Sequence, residues 1–116
     1  MRGFLALIVL AALSTASLAA EIRDGAMMQV KANSIWFEDA AKLAHWQQLK
    51  HSGKAKKLAA YQKKVMGERE AWQFTKPLDV KILSYERKKN RVKVEMTSAG
   101  RMQGTTWFID AGAVAP

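Results

Sequence analysis

The 116-residue chain contains no cysteine. This excludes disulfides, thiolate metal sites and cysteine nucleophiles. Proline is nearly absent, with only Pro77 and Pro116, so breaks between elements must come mainly from glycine and polar turns. Histidine is limited to His45 and His51. Six positions apart on a helix they diverge by about 240° and cannot chelate together. No His-Glu-x-x-His spacing exists, and no metal site is expected. Paired carboxylates are scarce too. Glu38 and Asp39 are adjacent and diverge, and both suit a helix N-terminus. Glu68 and Glu70 sit beside Lys64 and Arg69 as ordinary surface ion pairs. No serine lies in a nucleophile elbow and no glycine-rich loop leads into a helix. The chain is therefore expected not to be an enzyme and to need no cofactor.

The N-terminus is expected to be an export signal. Arg2 supplies the positive charge, Phe4 to Leu13 the apolar run, and Ser14 to Ala20 the small residues around a cleavage site placed after Ala19, with Ala20 as the alternative. That run is too short for a membrane span of about 20 apolar residues, and no later segment is long enough either. Residues 1–19 are thus read as a signal peptide and 20–116 as a single small α+β domain. Export without cysteine fits a bacterial periplasm, or secretion, better than a disulfide-rich extracellular setting.

Setting Arg2 aside, eighteen Lys and Arg stand against ten Asp and Glu, a surplus of eight. The basic charges are spread along the chain, with two clusters among them. The first is Lys50, Lys54, Lys56, Lys57, Lys63 and Lys64; the second is Arg87, Lys88, Lys89 and Arg91. Two explanations stay open, solubility and an anionic partner. Nucleic acid is not expected, because stacking aromatics are not interleaved with these charges.

The stretch Leu78 to Ala111 organises the rest. Leu78, Val80 and Ile82 alternate with polar residues, as do Val92, Val94 and Met96, the period-2 pattern of half-buried strands. The pattern slips at Leu83, which predicts a bulge. Glu86 to Asn90 supplies a hairpin loop, Gly100 to Gly104 a second turn, and Thr105 to Ile109 a third strand with Trp107 facing inward. Ala26 to Ala32 reads as a first strand. Asn33 and Ser34 are expected to cap a helix over about 35–50, with Trp36, Ala40, Leu43 and Ala44 as its stripe, widened by Phe37 and Ala41. Glu38 and Lys42 would pair across one turn of it. Trp46 falls off that stripe and is expected to pack on a neighbouring helix or to meet a partner. A second helix over about 54–71 would place Leu58, Tyr61, Val65 and Trp72 on one face and Lys56, Lys57, Lys63 and Lys64 on the other. The expected architecture is a small antiparallel sheet or partly open barrel, with a two-helix hairpin inserted after the first strand.

The order PLDVKIL, NRVKVEM and GRMQGTTWFIDA after a first strand resembles the bacterial Src-homology-3-like barrel over about half of the chain beyond the signal. Gly104, Trp107 and Asp110 to Val114 stand where that resemblance places them. VKANSIWF replaces the family's usual run after the first strand. The resemblance implies a barrel that binds peptides or cell-wall material. A small α+β domain unrelated to that family stays open.

Together these readings lead to a non-catalytic binding or interaction module, with the four tryptophans pointing to a protein partner. The alternative is a cell-envelope binder that uses a basic face for anionic glycan or lipid, and a third reading is an accessory or degenerate cell-wall enzyme. The residues singled out for binding are Lys56, Lys57, Lys63, Lys64, Arg87, Lys88, Lys89 and Trp46.

Overall fold

The computed structural model describes residues 21–115. The export signal expected over residues 1–19 lies outside them. The fold is α+β. Its antiparallel strands are β1 (Met27–Val30), β2 (Ile35–Phe37), β3 (Ala71–Gln73), β4 (Leu78–Glu86), β5 (Arg91–Met96), β6 (Thr106–Asp110) and the two-residue β7 (Val114–Ala115). Helices α1 (Ala40–His51) and α2 (Ala55–Gly67) lie between β2 and β3. The strand order is β3-β2-β6-β5-β4-β1-β7, and the sheet is not closed into a barrel.

The sheet is nevertheless strongly coiled. β1 and β2 stand four places apart in the order, yet only residues 31–34 join them. Four strand spacings make about 19 Å across a flat sheet. Such a link covers at most about 18 Å even when fully extended, and this one contains a turn with Asn33 at φ 67°. Its two ends are pinned by Lys31 N–H donating to Ala113 O (2.8 Å) and Asn33 N–H donating to Phe74 O (2.7 Å).

Coiling gives the sheet two different faces. On the inner face, Ile82, Val94 and Trp107 lie in one cross-strand row and Tyr85, Val92 and Ile109 in the next. Trp36 reaches this cluster from β2 and meets Trp107 and Phe74 edge-on, at ring-centroid distances of 6.2 and 5.1 Å. On the outer face, Ile35, Phe37 and Ala71 pack with Leu43 of α1 and Val65 of α2. Phe108 joins them, directly opposite Phe37 in register.

The regular part of the sequence reading holds. β4, β5 and β6 stand where alternation placed them, Trp107 is buried with Val80, Ile82, Val92 and Val94, and the β4–β5 register shifts between Ile82 and Ser84, which leaves Leu83 as the bulge. The helical hairpin is inserted after the second strand, not the first. Residues 35–37 form β2 rather than the first turn of α1, so Trp36 and Phe37 belong to no helical stripe. All three residues are buried because both sides of β2 are covered, and a strand buried on both faces shows no alternation.

Three local corrections follow. Asn33 and Ser34 are not the helix cap; Asp39 is, its Oδ1 accepting from Lys42 N–H at 2.8 Å. Lys42 Nζ contacts Asp39 and Glu70, each at 3.0 Å, instead of Glu38. Glu70 is therefore held by Lys42 rather than by Lys64 or Arg69. Finally, α2 stops at Gly67, Arg69 turns the chain with φ 61°, and Trp72 lies in β3, off the helical face.

Candidate functional site

The second half of α1 meets three other segments: the β1–β2 link, α2, and the turn Ala111–Ala113 that follows β6. A cleft of about 360 Å³ opens where they converge, within the usual size range for small-molecule sites. Lys31 and Asn33 line it from the link, Trp46 and Lys50 from α1, Gln62 from α2 and Asp110 from the end of β6.

Trp46 is the anchor of this wall. It is half-buried, with its ring 6.0 Å from that of Phe37, and its indole N–H donates to Gln62 Oε1 at 2.7 Å. The side chain expected to pack on a neighbouring helix does so. Lys50, one turn further along α1, holds its ammonium 4.9 Å from the Trp46 ring centroid, a cation–π distance. Its position in the last turn of α1 is favoured by the helix dipole as well.

Asp110 is the one carboxylate of the cleft lining, and its oxygens are taken. Oδ1 accepts from Gln47 Nε2 at 2.8 Å and from Asn90 Nδ2 at 3.1 Å. Oδ2 accepts from Gly112 N–H at 3.0 Å. A Cβ at Gly112 would lie 2.9 Å from that oxygen, so a side chain there would displace the Asp110 carboxylate. Gln47 Nε2 also donates to Asn90 O at 3.0 Å and so ties α1 to the end of the β4–β5 hairpin. Lys31 and Lys50 form no ion pair among the described residues.

That pattern extends over the surface. Of the eighteen cationic side chains beyond residue 20, only Arg23, Lys42, Lys89 and Arg91 form ion pairs among the described residues. Where pairs form, they hold their carboxyls below the usual carboxylate range. Asp39 is lowered first by the Lys42 backbone N–H and then by its ammonium; Glu70 is lowered by Lys42, and Glu86 by Arg91. The Lys42 ammonium, between two carboxylates, is raised well above its ordinary value.

The binding residues read from the sequence are dispersed. Lys56, Lys57, Lys63 and Lys64 are exposed on α2 and lie outside the cleft. Arg87, Lys88 and Lys89 form the exposed 3-10 turn of the β4–β5 hairpin, with Arg87 5.7 Å from the Tyr85 ring centroid and Lys89 4.0 Å from Glu86. Trp46 alone of the eight lines the cleft. Lys31 and Gln62 carried no sequence signal of their own, Asn33 was read only as a helix cap, and Lys50 was visible only as one of a basic cluster. The pointer to all of them was Trp46, a tryptophan off the helical stripe expected from the sequence, although in the structure it packs with Leu43 of its own helix. His45, exposed, stacks on Tyr61 with ring centroids 4.4 Å apart.

Among the described residues, no helix is long and apolar enough to cross a membrane, and no group of three or more His, Asp or Glu is placed to hold a metal ion. Comparison with known proteins finds no matching family model, no matching curated protein and no matching solved structure.

Proposed function

We propose that this chain is a small exported, non-catalytic binding module that recognises an anionic component of the cell envelope, with a periplasmic or secreted location. The observation that carries this reading is the unpaired charge. Fourteen of eighteen cations stand without an ionic partner among the described residues, including Lys56, Lys57, Lys63 and Lys64 on α2, Arg87 and Lys88 in the β4–β5 hairpin, and Lys31 and Lys50 at the cleft. Surface charge of this kind raises encounter rates with polyanions and loses its effect as salt rises. The strand, hairpin and glycine-turn order that resembles the Src-homology-3-like barrel also fits a recognition role.

Retention of the purified protein on immobilised polygalacturonate, at low and at high salt, tests the reading. Strong retention at low salt and elution as salt rises are expected. Flow-through at low salt contradicts it. Retention on phosphatidylglycerol vesicles with none on the glycan would move the partner to lipid. Export has its own test: intact mass from a periplasmic extract should lack Met1 to Ala19.

A second reading, a protein partner, is favoured by Trp72. It lies on the edge strand β3, opposite Trp36, and is 36% exposed. Trp-led binding would persist at high salt and be lost in Trp72→Ala.

A further inference from the structure

The cleft beside α1 has a chemistry narrower than general basicity. Its two cations, its one carboxylate and the Trp46–Gln62 pair set that chemistry. The indole N–H of Trp46 can only donate, so its bond to Gln62 fixes that amide with Oε1 toward the indole. The Gln62 NH₂ then has no partner among the described residues. Lys50 is held over the Trp46 ring, so Gln62, Trp46 and Lys50 form a chain in which each member orients the next. Lys31 faces the same space from the β1–β2 link, beside Asn33, whose own carbonyl already accepts from Gln73 Nε2 at 2.8 Å. Asp110 keeps its negative charge while accepting from Gln47, Asn90 and Gly112, and it forms no ion pair with either lysine among the described residues, so the two ammonium groups outnumber the one carboxylate of the lining.

We infer that this cleft binds the acidic unit of a sugar, a uronate or a sugar phosphate, with its oxyanion between Lys31 and Lys50. A volume of about 360 Å³ exceeds what a bare phosphate needs and suits one sugar ring. The amides of Asn33 and Gln62 supply donors for ring hydroxyls. Charge-assisted bonds to two ammonium groups give the oxyanion its grip. A neutral sugar leaves both lysines unsatisfied and is rejected. The inference deepens the anionic-envelope reading and rests on it for the source of the ligand.

The test is an NMR titration of the ¹⁵N-labelled protein with galacturonate, glucose 1-phosphate and neutral galactose, read at the Trp46 indole N–H. Saturable movement with at least one acidic sugar in the millimolar range or tighter, and none with galactose, is expected. The preferred acid identifies carboxylate or phosphate as the natural anion. Lys31→Gln and Lys50→Gln should each weaken binding about tenfold or more. Arg23→Gln, an exposed cation paired with Glu21 and outside the cleft, should leave it unchanged. Both cleft variants change exposed side chains, so their folding is checked by an unchanged amide spectrum. No saturable movement with either acid, or movement indifferent to both cleft variants, overturns the inference. Polygalacturonate retention without response to the monosaccharides overturns the cleft while sparing the envelope reading. The reverse result sinks the envelope reading alone.

Discussion

The inner face of the sheet and its helix side are built from the same kinds of residue by different rules. The inner cluster draws on long strands, β4 and β5 above all, whose neighbours pair residue by residue apart from the Leu83 bulge. The helix side is assembled from three-residue strands and two short helices around Phe37, and each helix buries a single residue there, Leu43 of α1 and Val65 of α2. Regular pairing makes the first region a scaffold with little room for variation. The second leaves side chains such as Trp46, Gln47 and Lys50 facing other segments rather than a packed interior, and the cleft opens there.

Truncating the two anchors would show whether the smaller cluster is also the weaker one. Trp107→Ala should cost about 3–5 kcal/mol in the inner cluster, as large aromatic truncations do. Phe37→Ala, with its side chain fully buried, should fall in the same range of about 3–5 kcal/mol. Urea denaturation measures both. An unchanged midpoint for Phe37→Ala would mean that the helix side contributes little to folding and would break the comparison.

A smaller effect tests the Asp39–Lys42–Glu70 junction of the helix side by pH. Asp39 and Glu70 have depressed carboxyls, so the folded state binds fewer protons than the unfolded chain as pH falls. The stability they contribute is fully present above the ordinary carboxylate value and is lost as pH drops through their lowered folded values. Lys42, raised, contributes stability that is present below its ordinary value and lost only as pH rises through the raised one. Thermal midpoints across the acid range should therefore fall, and Asp39→Asn should flatten the fall while retaining a capping side chain. An acid profile identical in Asp39→Asn would remove this junction from the account.

How far the sequence could be read follows the same division. Alternation is visible only where one face of a strand is polar, and β5, with Arg91, Lys93 and Glu95 outward, offers the clearest case. β2 offers none, since Ile35, Trp36 and Phe37 are each covered, and its apolar triplet next to good capping residues passes for the start of a helix. β3 was hidden for another reason. Trp72 continues the spacing of Leu58 and Val65, and only the positive φ at Arg69, a conformation rare outside glycine, interrupts the helical register. The cleft depends on both misread strands and on contacts such as Gln47 to Asp110, 63 residues apart, that no local pattern encodes.

The smallest predicted effect concerns the lysines of α2. Changing Lys56, Lys57, Lys63 and Lys64 together to Gln should leave stability within about 1 kcal/mol, because these side chains are exposed and form no ion pair among the described residues. The same variant should elute from polygalacturonate at lower salt. A large loss of stability would show that α2 uses its charges structurally.

The most direct test of the division into scaffold and recognition side is a map of amide shifts as polygalacturonate is added to the ¹⁵N-labelled protein. The account predicts perturbation along α1, α2, residues 31–34 and the hairpin turn at Arg87–Lys89, with the inner-face amides of β4 and β5 unmoved. Perturbation confined to β3 around Trp72, or none anywhere at low salt, would contradict it.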